Sequence, residues 1–450
     1  MKRTLIHNAT IVNEGQSLQG SVVIENGQIA EVLTNWKPLS APCDEIIDAT
    51  GCYLLPGIID DHVHFREPGL THKADILTES RAAAAGGVTS IMDMPNTNPP
   101  TTSLDALYAK FDLLNEKCIV NHSCYFGATN SNYTEFDKLD KHRVCGIKLF
   151  MGSSTGNMLV DKMNSLLKIF NGTDMLIAAH CEDQETILKN IEKYKEKYKG
   201  KRDIPVKEHS NIRSIAACYT SSELAVRLAT IARARLHILH VSTAKELKLF
   251  SNAPLSEKLI TSEACIAHLL FSSSVYGTLG TRVKCNPAIK RTTDRDAIRA
   301  AVNSGIIDVI ATDHAPHLLS DKKGGALQAA SGMPMIQFSL VSMLELVDEG
   351  IFSIEKVVEK MCHAPAQIFG ICRRGYIREG YQADLVLVRP DCPWEVSSST
   401  VLSKCEWSPM EGHTFNWKVE KTFANGHLIY NDNCVDDTYR GEELRFDYQS

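Results

Sequence analysis

The middle of the chain repeats one pattern, in which a short apolar segment of β character precedes a longer segment of helical character. Eight apolar segments of this kind occur, at residues 58–64, 88–92, 121–127, 146–150, 175–180, 236–241, 258–263 and 309–313. The clearest helix-like segments are residues 73–85, 104–116, 211–233 and 293–303. Strands that alternate with helices are typical of parallel sheets, and eight repeats predict an α/β protein with a closed (β/α)8 TIM-like barrel.

Both ends of the chain follow a different pattern, with short β-like runs separated by turn signals. The N-terminal part contains Asn26-Gly27 between two apolar runs, and the C-terminal part contains Asn425-Gly426 in the same setting. An Asn-Gly pair between apolar strands is a strong hairpin signal. We therefore predict that residues 53–369 form the barrel domain and that residues 1–52 and 370–450 together form a small β-sandwich domain.

Composition and charge exclude several partners. The 450 residues are 44% hydrophobic and 23% charged, as in ordinary globular proteins, and the formal net charge of -6 indicates no nucleic-acid partner. The first eight residues are too polar for a secretory segment, and no long uncharged apolar run follows, so no membrane partner is expected. The 14 cysteines contain no Cys-x-x-Cys pair, and we expect reduced thiols in a cytoplasmic protein.

Side chains that can bind a metal follow the ends of several predicted strands. His62 and His64 are separated by one residue, so an extended strand points both imidazoles to the same side. Barrels place their active sites at the carboxyl ends of their strands, where this chain also has Lys148, His180, His240 and Asp313. Four imidazoles and one carboxylate suit zinc or a related metal better than calcium or magnesium.

Lys148 is the unusual member of this set. A protonated lysine has three donors and no acceptor, so it cannot bind a metal. A buried neutral lysine amine can instead react with carbon dioxide, and the two oxygens of the resulting carbamate can bridge two metals. A salt-bridged or solvent-reaching side chain is the alternative interpretation of this lysine.

Seven segments together resemble the amidohydrolase superfamily and, within it, the long class I dihydroorotases of bacteria. They are DDHVHFREPG at 60–69, MPNTNP at 94–99, KLFMG at 148–152, HCED at 180–183, HVS at 240–242, TDHAPH at 312–317 and GYQADLVLV at 380–388. The resemblance covers essentially the whole chain. It implies two Zn2+ ions per chain bridged by N6-carboxylated Lys148, the first bound by His62, His64 and Asp313 and the second by His180 and His240.

The resemblance also implies a reaction. Dihydroorotases catalyse the reversible zinc-dependent cyclisation of N-carbamoyl-L-aspartate to L-dihydroorotate in pyrimidine biosynthesis. In the hydrolytic direction, hydroxide between the metals would attack the amide carbonyl while Asp313 acts as general acid and base. Some class I dihydroorotases have aspartate at the position of Lys148, whereas hydantoinases and allantoinases have lysine. Another cyclic amidase therefore remains an alternative, with a non-catalytic scaffold relative as a remote one.

Substrate choice depends on a carboxylate that dihydroorotate has and neutral hydantoin rings lack. Arg66 lies two residues after His64, hence on the same strand face, and its guanidinium suits bidentate carboxylate binding. In the family, this arginine and the residue matching Asn96 hold the carboxylate, while Asn286 and His317 match further substrate-binding positions. The alternatives are a structural salt bridge for Arg66 and a turn role for Asn96.

Two loops complete these expectations. Residues 320–326 have the glycines and polarity of an active-site rim, although an ordinary surface loop is equally compatible. Residues 152–157 are small and polar but lack the ending of a phosphate-binding P-loop, so no nucleotide is expected there. The partner that we expect is a small-molecule substrate, and a homodimer is expected from the family alone.

Overall fold

The computed structural model describes residues 2–34, 37–152 and 158–448, so nearly all of the small polar loop at 152–157 lies outside the described residues. The strands are β1 (Arg3–Asn13), β2 (Gln16–Glu25), β3 (Gln28–Thr34), β4 (Glu45–Asp48), β5 (Tyr53–Pro56), β6 (Ile58–Val63), β7 (Val88–Asp93), β8 (Asn121–Cys124), β9 (Phe126–Gly127), β10 (Ile147–Phe150), β11 (Ile177–His180), β12 (Leu236–Ile238), β13 (Ile260–Cys265), β14 (Val309–Ala311), β15 (Leu385–Arg389), β16 (Trp394–Glu395), β17 (Thr414–Phe415), β18 (Lys418–Ala424), β19 (His427–Asn431) and β20 (Cys434–Val435).

The α-helices are α1 (Ile76–Ala85), α2 (Leu104–Lys117), α3 (Met163–Asn171), α4 (Gln184–Lys197), α5 (His209–Ile212), α6 (Ile215–Ala232), α7 (Ile266–Leu270), α8 (Thr292–Ser304), α9 (Ser339–Asp348), α10 (Ile354–Val358) and α11 (Ala364–Phe369). Within the described ranges, no helix has both the length and the apolar composition needed to cross a bilayer.

The barrel is built from β6 to β14, and its neighbouring strands run parallel. One run pairs β6, β7 and β8, and a second run pairs β9 to β14 in chain order. Tyr125 alone separates β8 from β9, and a parallel bridge between Val63 and His314 joins the end of β6 to the segment after β14. Strands occur at all eight predicted positions, which confirms the predicted barrel.

The two ends of the chain form a second sheet. Its path is β20-β19-β18-β15-β5-β1-β2-β3, and β4 pairs with β1 outside this path. The predicted hairpins are present, with positive φ angles of 53° and 79° at Asn26 and Gly27 and of 49° and 73° at Asn425 and Gly426. The two turns touch, because a Cβ on Gly27 would lie 2.9 Å from the carbonyl oxygen of Asn425. A barrel with a β domain built from both termini is therefore confirmed, while the domain limits stay predictions.

Helix α1 connects the barrel with this sheet. Asp75 caps the helix by accepting a hydrogen bond from the backbone N–H of Thr78, so the helix begins three residues later than predicted. Its last turn consists of buried alanines, which allow close packing, and Thr422 of β18 donates its hydroxyl to the carbonyl oxygen of Ala84 at 2.7 Å. In the chain, α1 is the first helix after β6, the strand that ends at the predicted metal ligands.

Candidate metal and substrate site

One cavity of about 880 Å³ lies at the carboxyl ends of the barrel strands. Every residue predicted for metal or substrate binding lines it: His62, His64, Arg66, Asn96, Lys148, His180, His240, Asn286, Asp313 and His317. These residues are up to 255 positions apart in the chain, and the barrel brings them together because parallel strands end at the same rim. Their individual roles stay predictions.

The first group of potential ligands is His62, His64 and Asp313. Oδ1 of Asp313 lies 3.4 Å from Nε2 of His62 and 3.2 Å from Nε2 of His64. Among the described residues, these three form one of the groups whose ligand atoms could share a metal ion. The backbone N–H of His64 donates to the carbonyl oxygen of His314 at 2.8 Å, which holds the end of β6 beside the segment after β14.

The second group lies beside the first. Nδ1 of His180 faces Nε2 of His240 at 2.9 Å, and the ring centroids of His240 and His62 are 5.3 Å apart. Lys148 is 1% exposed, and its Nζ has no hydrogen bond or ion pair to the part of the chain that is described. Its ammonium lies over the ring of Phe150, 4.7 Å from the centroid. Burial of a charged lysine without an ion-pair partner costs free energy, so this position favours an uncharged or modified side chain.

Three of the imidazoles have an oxygen acceptor on the side that faces away from these groups. The contacts are His62 Nδ1 to Glu263 Oε1 at 3.0 Å, His64 Nδ1 to Asn96 Oδ1 at 2.7 Å and His180 Nε2 to Glu182 Oε2 at 3.0 Å. Histidines that bind metals usually donate their second N–H to such an acceptor, which leaves the other nitrogen with its lone pair. The donor set and its outer contacts therefore fit a metal site.

Burial sets the protonation of the site. It lowers the pKa of His64 to about 3 and that of His240 well below its usual value, so both imidazoles are neutral. It also lowers the pKa of Lys148 to about 8. For Asp313, burial raises the pKa, but the charge of His62 and the contact with His64 outweigh burial and bring the pKa to about 2. For His62, burial lowers the pKa, but the charges of nearby carboxylates outweigh burial and raise it. The site thus offers neutral imidazoles at His64 and His240 beside an ionised carboxylate.

Arg66 lies at the edge of the ligand groups. The residue is 7% exposed and has a positive φ of 67°. Its Nε donates to the carbonyl oxygen of Pro316 at 3.0 Å, and one terminal nitrogen lies 3.2 Å from Nε2 of His317. No carboxylate of the described residues lies within ion-pair distance, so the alternative of a structural salt bridge has no partner. Asn96 uses its Oδ1 for His64, which leaves its amide N–H groups for the cavity.

Asn286 and His317, the other two predicted substrate-binding residues, contact neighbouring groups of the protein. Oδ1 of Asn286 lies 3.2 Å from Nε2 of His209, which also lies 2.9 Å from the carbonyl oxygen of Cys285. Nε2 of His317 lies 3.0 Å from the carbonyl oxygen of Ser331. Both side chains are therefore oriented by contacts with the protein itself.

The predicted rim segment at 320–326 contributes its last residue, Ala326, to the cavity lining. Within it, Lys322 is buried and donates from Nζ to the carbonyl oxygens of Lys284, Ala330 and Gly332, at 3.0, 2.7 and 2.7 Å. Burial lowers the pKa of Lys322 to about 7. This lysine ties the segment to the neighbouring wall of the cavity.

Sequence reasoning missed three side chains of this site. Glu182 belongs to the motif after β11, and Glu263 lies at the end of a predicted strand, so their positions were available signals. Nothing in the sequence indicates which imidazole each acid contacts. The helical pattern predicts Lys73 at the beginning of a helix, but Lys73 lies in the loop before α1 and lines the cavity.

Residues 53–429 match the Amidohydrolase family. The chain belongs to the amidohydrolase family. It is 34% identical over 402 residues to a dihydroorotase of Halobacterium salinarum, covering 89% of this chain and 91% of that protein. It is 29% identical over 436 residues to an allantoinase of Bacillus velezensis, covering 95% and 94%. Its fold is similar to that of an L-hydantoinase (dihydropyrimidinase) from Arthrobacter aurescens, with a TM-score of 0.91, 25% identity and coverage of 97% and 98%.

The match confirms the family indicated by the sequence motifs and makes this chain a hydrolase. Amidohydrolases generally depend on metals, and the group formed by His62, His64 and Asp313 is a candidate metal site of the described structure. Its relatives carry three different names, so the choice among their substrates depends on the chemistry of the cavity.

Proposed function

We propose that this amidohydrolase is a dihydroorotase, which interconverts N-carbamoyl-L-aspartate and L-dihydroorotate in pyrimidine biosynthesis. The observation that carries the proposal is Arg66, a buried guanidinium at the edge of the candidate metal site with no carboxylate partner among the described residues. An unpaired buried cation is costly unless a ligand neutralises it. Dihydroorotate supplies such a carboxylate, whereas hydantoin and allantoin do not.

The metals in this proposal are two Zn2+ ions. His62, His64 and Asp313 would hold the first ion, His180 and His240 the second, and carboxylated Lys148 would bridge them. When bound, the ions would supply Lewis acidity, which polarises an amide carbonyl and makes water nucleophilic near neutral pH. Lys148 suits the bridging role because burial lowers its pKa, so part of the population is a neutral amine able to react with carbon dioxide.

The residues of the chain perform the remaining steps. Arg66 and the amide N–H of Asn96 bind the ring carboxylate and thereby orient the ring. In the hydrolytic direction, water adds to the amide carbonyl, and the carboxylate of Asp313 takes a proton from it. The bond between the carbonyl carbon and the ring nitrogen then breaks, and Asp313 delivers its proton to that nitrogen. In the biosynthetic direction the same carboxylate takes the proton from the ureido nitrogen as the ring closes.

Another cyclic amidase remains the second candidate, because the fold similarity to an L-hydantoinase and the identity to an allantoinase both extend over most of the chain. A neutral hydantoin ring has no carboxylate to pair with a buried arginine, which favours dihydroorotate as the substrate. A non-catalytic scaffold is disfavoured, because the cavity has kept every predicted ligand. The cytoplasmic location and the homodimer stay predictions.

A side-by-side assay separates these candidates. The metal-loaded full chain is incubated at one concentration with dihydroorotate, hydantoin and allantoin, and its zinc content is measured. We expect turnover of dihydroorotate alone or with strong preference, and close to two zinc ions per chain. Preference for hydantoin or allantoin would replace the proposed substrate, and a metal-free, inactive preparation would favour the scaffold.

A further inference from the structure

Lys73 is a cation of the cavity that the proposed reaction leaves without a role. It lies in the loop between β6 and α1, it is half-buried, and it lines the cavity together with Arg66 and His317. No carboxylate of the described residues lies within ion-pair distance of its Nζ. The only hydrogen-bond contact described for this ammonium is Nδ1 of His317, at 3.2 Å.

The imidazole of His317 has donors on both sides, and a neutral imidazole can accept at only one nitrogen. Its Nδ1 faces the ammonium of Lys73, whereas its Nε2 faces both the carbonyl oxygen of Ser331 at 3.0 Å and a terminal nitrogen of Arg66 at 3.2 Å. Burial lowers the pKa of His317 to about 2, so the ring is neutral.

Two of these contacts demand the same tautomer. The carbonyl oxygen of Ser331 can only accept, so it requires a hydrogen on Nε2. The ammonium of Lys73 can only donate, so it requires a lone pair on Nδ1. In this Nε2–H tautomer, the imidazole cannot accept a hydrogen bond from Arg66, and the nearby terminal nitrogen keeps its hydrogens for another acceptor.

The opposite tautomer would change what the cavity presents. With hydrogen on Nδ1, the lone pair of Nε2 would face Arg66 and accept a hydrogen bond from it, which would occupy part of the guanidinium. An acceptor for that hydrogen is close, because Oδ2 of Asp321 lies 3.9 Å from Nδ1 and has no hydrogen-bond partner among the described residues. The ammonium of Lys73 opposes this state.

The imidazole of His317 has little freedom to move away from these contacts. The backbone carbonyl oxygen of His317 accepts a hydrogen bond from Nε1 of the buried Trp407 at 2.7 Å. Gly332 packs against the imidazole, because a Cβ on this glycine would lie 3.0 Å from Cδ2 of His317. The nitrogen that carries the hydrogen, rather than the position of the ring, therefore decides what the imidazole presents to Arg66.

We propose that Lys73 is a positioning residue for substrate recognition, which holds His317 in the Nε2–H tautomer and thereby keeps the guanidinium of Arg66 available for the substrate carboxylate. The effect on substrate rests on the proposed dihydroorotase function, whereas the effect on the tautomer does not. Lys73 acts through its neighbours and needs no contact with the reacting atoms.

The test uses the metal-loaded full chain and two measurements. The first is the protonation of each His317 nitrogen, read from 15N NMR of imidazole-labelled protein and assigned with His317→Gln. The second is the pair of KM and kcat for dihydroorotate. Lys73→Met removes the donor at similar length, Lys73→Arg keeps a donor, and Lys138→Met changes a surface lysine that pairs with Glu135.

For the wild type and Lys138→Met, we expect His317 with hydrogen on Nε2. Lys73→Met leaves the Nε2–H tautomer supported by the carbonyl oxygen of Ser331 alone, so the hydrogen should move partly toward Nδ1, where Asp321 can accept it. KM for dihydroorotate should then rise about tenfold, with a smaller change in kcat, because a charge-assisted contact to substrate is weakened. Lys73→Arg should restore both readouts. A contact that is only structural would not link the tautomer to KM.

Three results would overturn the proposal. They are hydrogen on Nδ1 in the wild type, an unchanged tautomer in Lys73→Met, and a changed tautomer with an unchanged KM. Failure of the wild type to turn over dihydroorotate would instead remove the proposed function, and the NMR measurement would still decide whether Lys73 controls the tautomer.

Discussion

Lys110 and Asp93 form a fully buried ion pair behind the proposed carboxylate-binding residues, with 2.6 Å between Nζ and Oδ2. Oδ1 of Asp93 accepts a hydrogen bond from the backbone N–H of Phe65 at 2.8 Å, immediately before Arg66. The ammonium of Lys110 also donates to the carbonyl oxygen of Met94 at 2.6 Å, in the loop after β7. One ion pair therefore connects the two loops that carry the proposed carboxylate-binding residues.

Removing one partner of this pair should be strongly destabilising. Lys110→Met leaves Asp93 buried without a counter-charge, and we expect the free energy of unfolding to fall by about 3–5 kcal/mol. Urea denaturation measures the loss. Lys189→Met, which breaks an exposed pair with Glu185, is the matched control and should change stability by less than about 0.5 kcal/mol. Similar losses for both variants would contradict the importance of the buried pair.

Arg66→Met should abolish recognition of the ring carboxylate. The variant loses a charge-assisted contact, so we expect kcat/KM for dihydroorotate to fall by at least about 100-fold while zinc content is unchanged. Steady-state kinetics and metal analysis check this. Arg282→Met, which changes an arginine paired with Glu411, should retain wild-type kinetics. Wild-type turnover of dihydroorotate by Arg66→Met would remove the main support for the proposed substrate.

Glu263 should be needed for metal affinity although it is not a proposed ligand. It accepts hydrogen bonds from Nδ1 of His62 and from the backbone N–H of His240, and so orients one residue of each ligand group. We expect Glu263→Gln to weaken zinc binding by about 10–100-fold in chelator competition. Glu257→Gln, at an exposed position before β13, should bind zinc like the wild type. Equal affinities in both variants would exclude this orienting role.

Replacement of Lys148 tests the bridging carbamate. Lys148→Ala should lose most of its zinc and its activity, because both proposed metals lose a shared ligand. Addition of acetate or propionate should restore part of the activity, since a small carboxylate can occupy the emptied space. The same acids should leave Arg66→Met unimproved. Full activity of Lys148→Ala without added acid would show that the bridge is dispensable.

The pH dependence of stability should report a contact far from the metal site. Nε2 of His413 lies 2.8 Å from Oε1 of Glu345 on α9, and this hydrogen bond raises the pKa of His413. The folded chain therefore binds this proton more tightly than the unfolded chain does. The resulting stability is fully present below the unfolded pKa, about 6.5, and is lost as pH rises through the higher folded pKa.

Unfolding of the wild type and of His413→Gln at about pH 5.5 and about pH 9 measures this effect. The wild type should gain stability relative to the variant at the lower pH, by less than about 1 kcal/mol because the side chain of His413 is 38% exposed. A relative gain at the higher pH would contradict the sign of the pKa shift.

The barrel was predictable because its signals are local. Parallel strands that are buried on both faces have a nearly continuous apolar composition, and β10, β11 and β14 are buried along their whole length and mostly apolar. The side-chain alternation of an extended strand is also local, so His62 and His64 could be placed on one face before any tertiary contact was known. Because barrels place their active sites at the carboxyl ends of their strands, the remaining candidates could be assigned to the same rim.

Other parts of the site could not be predicted in this way. Glu263 and His62 are 201 residues apart, and their contact depends on the stagger of β13 against β6 around the closed barrel. The same holds for β5, which pairs with β1 on one side and with β15 on the other. No periodic pattern in the chain specifies such pairings.

Local periodicity and short motifs are enough to specify the fold class, the family and the chemical types of side chain available at the strand ends. Three features of the site emerge only in the folded chain: Arg66 has no carboxylate partner among the described residues, Glu263 supports both ligand groups, and Lys73 faces Nδ1 of His317. Charge pairing and tautomer choice depend on distances of a few ångströms between distant parts of the chain, and closure of the barrel sets those distances.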